Sequence, residues 1–140
     1  MDINVYLKQV VESASPDLHL QVGKVPVVRL SNGDLYDMQN AEVVTAQVME
    51  ELIHQILSEE HYALFKNKEE IDTSYAVLGV GRFRVNIFWD TEGPALAFRV
   101  IPVQIPSLDS LGVPAILKAF TQKSKGLFVV TGPTGSGKST

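Results

Sequence analysis

The sequence predicts an α+β fold on an antiparallel sheet, followed by the beginning of a parallel α/β unit. Three patterns carry this. Alternating segments closed by tight turns recur between residues 17 and 101, amphipathic helical stretches flank them, and the apolar run Leu127-Phe128-Val129-Val130 leads into a glycine-rich loop. A chain of 140 residues, 45% hydrophobic and 20% charged, can bury one core with room for part of a second domain, and its composition is neither disordered nor fibrous.

Asp2 is placed to cap a first helix whose apolar residues Ile3, Leu7, Val10, Val11 and Ala14 recur at helical spacing up to Ser15-Pro16. Asp17 to Val22 alternates and reads as a strand with Leu18, Leu20 and Val22 facing inward. Val27 to Leu30 is a second strand. Ser31-Asn32-Gly33-Asp34 predicts a hairpin turn with positive φ at both Asn32 and Gly33, returning to a short strand near Leu35-Tyr36. From Ala41 to Leu57, Val44, Val48, Leu52 and Ile56 fall four apart, with Met49 and Ile53 widening the stripe, which predicts a helix over that range. Ser58 can cap the next helix, with Tyr62 and Phe65 on its buried side. Ile71 to Val77 alternates again. Then Arg82 to Trp89 places Phe83, Val85, Ile87 and Trp89 on one face and Arg82, Arg84 and Asn86 on the other, with Ala95 to Ile101 as partner strand.

After Pro102 the character changes. Pro102 and Pro106 disfavour helix before them, so residues 103–112 read as an interdomain linker. Pro114 suits the first turn of a helix containing Ile116, Leu117 and Phe120. Leu127 to Val130 reads as a strand buried on both faces of a parallel sheet.

Charge follows the same division. Residues 1–112 hold 8 Lys and Arg against 16 Asp and Glu, a net −8, and residues 113–140 hold Lys118, Lys123, Lys125 and Lys138 with no acid, a net +4. An acidic body argues against nucleic acid as partner, whereas a basic end suits a phosphate ligand. The absence of cysteine excludes a disulfide framework, a thiolate zinc site and a cysteine nucleophile. No apolar run reaches the roughly 18 residues that cross a bilayer, and the acidic Met1-Asp2 start is unlike a secretion signal, so a cytoplasmic location is expected.

Thr131-Gly132-Pro133-Thr134-Gly135-Ser136-Gly137-Lys138-Ser139-Thr140 follows the apolar run and fulfils G-x-x-x-x-G-K-[ST], the phosphate loop. Its glycines let backbone N–H groups converge on phosphate oxygens, Lys138 presents a point charge to the β- and γ-phosphates, and the Ser139 hydroxyl suits Mg²⁺. ATP and Mg²⁺ are therefore the expected ligands, with Gly132, Pro133, Thr134, Gly135, Ser136, Gly137, Lys138, Ser139 and Thr140 around them. Ordering about eight loop residues costs about 8–16 kcal/mol, against about 0.3–2 kcal/mol offered to an anion by a following helix. With its sequence stopping at Thr140, this stretch alone is expected to leave residues 132–140 mobile, to bind nucleotide negligibly and to be inactive. Exposed Leu127 to Val130 would then invite pairing with another chain.

The segments "SPDLHLQVGKVPVVRLSNG", "GVGRFRVNIF", "FRVIP", "IPSLDSLGVP" and "GLFVVTGPTGSGKST" resemble, in order and spacing, the N-terminal part of the type IV pilus retraction ATPases, the twitching-motility branch of the secretion ATPase superfamily. Ser15-Pro16-Asp17 and Val25-Pro26 depart from the usual forms "ASDLHL" and a proline pair, and Trp89-Asp90-Thr91-Glu92 stands where a polar, often basic segment is common.

The resemblance implies a PAS-like N-terminal domain over residues 1–102, the linker 103–112 and the start of a RecA-like ATPase domain over 113–140. It further implies a homohexameric motor that couples ATP hydrolysis to pilus retraction. Such a motor works with the pilus machinery and an inner-membrane platform protein, cytoplasmic and peripheral to that membrane. A pilus-extension or type II secretion ATPase is the alternative, and an N-terminal domain acting only as a regulatory or protein-interaction module is another. In similar motors, arginines of this domain sense the phosphates of a neighbouring site; Arg82, Arg84 and Arg99 match, although alternating arginines also form the wet face of an ordinary strand. His19, His54 and His61 lack metal-ligand spacing and read as structural, and the glutamate pairs at 50–51, 59–60 and 69–70 read as solvated helix faces.

Overall fold

Asp2 opens the molecule as the sequence predicts: its carboxylate accepts the Asn4 N–H at 2.9 Å and starts helix α1, Ile3–Glu12, which buries Ile3, Leu7 and Val10. The computed structural model describes residues 1–30, 32–102 and 106–132. It divides into two units, Met1–Pro102 and Val103–Thr140.

In the first unit, strands β1 (Asp17–Gln21), β2 (Val27–Arg29) and β3 (Leu35–Asp37) form one antiparallel meander, and β4 (Ile71–Val77), β5 (Gly81–Asp90) and β6 (Gly93–Ile101) form another. β1 pairs with β6, joining both into a six-stranded sheet in the order β3-β2-β1-β6-β5-β4. Helices α2 (Ala46–Ile56) and α3 (Glu59–Lys66) connect the meanders. Period-2 alternation aims Leu18, Leu20, Phe83, Val85, Ile87, Leu96 and Phe98 into one core with Ile3, Leu7 and Val10 of α1, Met49, Leu52 and Ile53 of α2 and Phe65 of α3. The helices therefore take the apolar face, and the other face of the sheet is left polar. This is the expected α+β architecture.

The structure corrects several local expectations. The helix predicted over 41–57 begins only at Ala46, because Val44 is extended: its N–H donates to the Lys24 carbonyl and its carbonyl accepts the Gly23 N–H, each at 2.8 Å. Thr45 caps the shorter helix through Val48 N–H at 3.2 Å. Ala14 lies beyond α1 with φ 52°, and its N–H donates to Val11 while Ser15 N–H donates to Val10. That is a Schellman ending with alanine where glycine is usual. In the first hairpin, Gly33 has the predicted positive φ, 95°. Its N–H reaches the Leu30 carbonyl and Leu30 N–H reaches Asp34, which describes a three-residue loop rather than the two-residue form.

In the second unit, α4 spans Ile116–Thr121, so Pro114 precedes the helix instead of occupying its first turn, and its carbonyl accepts the Leu117 N–H at 3.0 Å. The expected strand at Leu127 to Val130 is not formed: these side chains are 54–90% exposed. A strand of that type needs hydrogen-bonded neighbours on both edges and helices over both faces, and no strand is present among the described residues of this unit. Phe128 instead stacks on Phe120, ring centroids 5.0 Å apart.

Candidate functional site

Strand register assembles the site on the polar face of the sheet. Asp17 stands opposite Arg29 of β2 on one side and Arg99 of β6 on the other, and Arg99 stands opposite Arg84 of β5. Four residues distant in sequence thus share one row. One step along the strands, His19, Ala97, Asn86 and Asp72 form the next row. Between them lies a shallow recess of about 330 Å³ lined by Asp17, His19, Asp72, Arg84, Asn86 and Arg99 among others.

Asp17 is the most enclosed charge of this face, its side chain 7% exposed. Arg99 Nε donates to it at 2.8 Å and Arg29 Nε at 3.1 Å. Burial by itself raises a carboxyl pKa, but the hydrogen bond and charge of Arg99, helped by His19 and Arg29, outweigh it and hold the Asp17 carboxyl below the usual range. Arg29 also donates to the Gly33 carbonyl at 3.0 Å, tying the hub to the first hairpin loop.

Arg84 turns the other way. Its Nε lies 3.0 and 2.9 Å from the two Asp72 oxygens, and Nη2 also donates to that carboxylate. The pair is bidentate and exposed, 63% for Arg84 and 43% for Asp72. The Arg84 hydrogen bonds hold the Asp72 carboxyl low. Asn86 donates to Glu70 at 2.7 Å. Arg82 forms no ion pair among the described residues. His19 Nε2 is buried without a hydrogen-bond partner there; burial pushes its imidazole pKa down, reinforced by Arg29 and Arg99 and opposed by Asp17.

The structure thus brings Arg84 and Arg99 together as neighbours, with Arg82 two residues further along β5 on the same face. It also adds Asp17 and Asp72, which the sequence alone did not single out. Gly132 is exposed, and the rest of the predicted phosphate loop, Pro133 to Thr140 with Lys138 and Ser139, lies outside the described residues, as does the expectation of mobility there. No group of three or more metal-ligating side chains occurs among the described residues, and no helix among them is long and apolar enough to cross a membrane.

No family model matches the chain. The type IV pilus retraction ATPase PilT of Pseudomonas aeruginosa is 37% identical over all 140 residues, which cover 40% of that protein. The chain is similar to PilT along its whole length. A twitching motility protein of Neisseria gonorrhoeae is 35% identical over 115 residues, 82% of this chain and 30% of that one. A crystal structure of the pilus retraction motor PilT with bound ADP matches 99% of the chain and 40% of its own length, with TM-score 0.86 and 34% identity. The chain therefore spans about two fifths or less of the length of these relatives.

Proposed function

We propose that this chain is the N-terminal part of a homohexameric motor ATPase that couples ATP hydrolysis to retraction of a type IV pilus. In this reading residues 1–102 are a PAS-like domain, residues 103–112 a linker and residues 113–140 the start of a RecA-like ATPase domain. The observation that carries it is the likeness to PilT along the entire chain, with a complete G-x-x-x-x-G-K-[ST] pattern at its end. The donor set there fits a nucleoside triphosphate. Backbone N–H groups of Thr134 to Thr140 would cradle the phosphates, Lys138 would neutralise the β- and γ-oxygens and the Ser139 hydroxyl would hold Mg²⁺, which when bound screens the charge on the transferred phosphoryl group.

The arginines of the sheet serve the same chemistry from a neighbouring subunit. A planar guanidinium matches phosphate oxygens, and a cation stabilises charge that develops as the phosphoryl group leaves. Arg84 and Arg82 suit this role, being exposed on the polar face. Arg99 is exposed on the same face and is also bound to the enclosed Asp17 carboxylate, so it both suits the role and aligns the row. No catalytic base is assigned within residues 1–140. The motor works at the cytoplasmic side of the inner membrane against a platform protein of the pilus machinery. A pilus-extension or secretion motor would use the same residues in the same roles, and a retraction assay in cells separates them.

One observation favours a second reading, in which the N-terminal unit is an interaction module without a nucleotide role: Arg84 and Arg99 already have acidic partners within the sheet. ATP turnover of the full-length protein discriminates. Lys138→Ala is expected to abolish hydrolysis, and Arg82→Ala and Arg84→Ala to lower it with the fold intact. Unchanged turnover in both arginine variants would establish the interaction module instead.

A further inference from the structure

Arg84 and Arg99 occupy directly opposed positions on β5 and β6, a placement in which like charges repel. Each fork is drawn away from the other by an acid on its far side, Arg99 by Asp17 on β1 and Arg84 by Asp72 on β4. The recess lies beside both, and its lining includes three carboxylates, Asp17, Glu70 and Asp72, against two guanidinium groups. As it stands the recess disfavours an anion.

The two acids differ in how firmly they hold. Asp17 is 7% exposed and shared with Arg29, so losing Arg99 would still leave it paired. Asp72 is 43% exposed, sits on the edge strand β4 and has Arg84 as its one ion-pair partner among the described residues. An ion pair between exposed groups biases an equilibrium only about 1.4- to 5-fold. A polyphosphate offers the same bidentate acceptor geometry with more charge, so it can displace Asp72 from Arg84 far more readily than it can displace Asp17 from Arg99.

We propose that Asp72 is an intramolecular competitor for the nucleotide phosphate: it holds the Arg84 fork at the sheet edge until a polyphosphate takes its place, and so sets the ATP concentration at which this face engages. The proposal rests on the reading in which Arg84 serves a nucleotide phosphate. Asp72 does not touch the reacting atoms. It is a positioning residue that acts through Arg84.

The test measures KM for Mg-ATP and kcat in the full-length protein for the wild type, Asp72→Asn, Arg84→Ala and both substitutions together, with a thermal melt of each. Asp72→Asn is expected to lower KM about two- to fivefold with a smaller change in kcat, and to have no effect when Arg84 is already alanine. An equal drop in KM in the double variant overturns the proposal, because Asp72 then acts by its charge on the whole face and not through Arg84. Unchanged KM in Asp72→Asn, where Arg84→Ala raises KM, also overturns it and leaves the nucleotide role of Arg84 standing. No effect of Arg84→Ala on either parameter removes that role and the competitor with it. Asp72→Ser supplies the same comparison if the amide variant folds poorly, since a purely structural role would move the melting temperature and leave KM unchanged.

Discussion

Replacing Asp17 with asparagine removes one negative charge from the centre of the row Arg29-Asp17-Arg99 and leaves two guanidinium groups facing a neutral amide. Arg99 at 2.8 Å and Arg29 at 3.1 Å donate to different oxygens of Asp17; the amide keeps one acceptor oxygen and turns an NH2 toward the other guanidinium, so one hydrogen bond is lost and the other loses its charge assistance. A hydrogen bond to a charged group contributes about 1.5–3 kcal/mol, and breaking a fully buried pair costs about 3–5 kcal/mol. The carboxylate is enclosed but Arg29 and Arg99 are 37% and 68% exposed, so water recovers part of the loss. About 2 kcal/mol is the resulting figure. For a domain of this size 1 kcal/mol moves the melting temperature by about 4–8 °C, so Asp17→Asn is expected to melt about 8–16 °C lower at neutral pH. The sign of the pH dependence follows from the depressed carboxyl. Its contribution is complete above the unfolded value near pH 3.9 and is lost as the pH falls through the folded value. The gap between wild type and variant should accordingly close in acid. Circular dichroism melts across this range provide the check. A neutral-pH difference below about 2 °C, or one that widens in acid, would refute the assignment of Asp17 as the electrostatic hub.

Two further outcomes follow from single residues. Ala14→Gly relieves an alanine held at φ 52° in the Schellman ending of α1 and is expected to raise stability by about 0.5–1 kcal/mol; a denaturant titration giving no gain or a loss contradicts the strain. His19, whose folded-state pKa is depressed chiefly by burial, binds its proton more readily when the chain is unfolded, so stability should decline as pH drops below about 6.5 until the folded value is reached. His19→Gln should flatten that decline in melts between pH 7 and 5, and an unaltered slope would show that another group causes it.

The caps and the sheet faces were legible because each is a local pattern. Asp2 and Ser58 sit one residue before amphipathic stretches, and the alternation of Phe83, Val85 and Ile87 against Arg82, Arg84 and Asn86 fixes which side meets the helices. The start of α2 was not legible, since Val44 continues the fourfold spacing of Val48 and Leu52 while its backbone is claimed by Gly23 and Lys24, some twenty residues away. Ala14 misled for a similar reason: it keeps helical period but falls one residue beyond the C-cap. At Leu127 to Val130 the apolar run signals a buried strand, yet burial depends on neighbours that the pattern itself cannot supply. That Arg82 and Arg84 share a face could be read from the alternation of β5, whereas the counter-charges of the row could not. Asp17 and Asp72 become partners only through the β1–β6 and β4–β5 registers, which no short-range signal encodes.

The central claim is that arginines on the polar sheet face of one subunit serve the phosphate loop of another, and mixing subunits tests it most directly. Lys138→Ala subunits retain Arg84 but lose the phosphate lysine, and Arg84→Ala subunits have the reverse defect. If the two residues meet between subunits, rings assembled from an equal mixture contain some intact sites and should hydrolyse ATP faster than either variant alone. A co-assembled mixture whose rate is no more than the average of the two separate preparations would contradict the account.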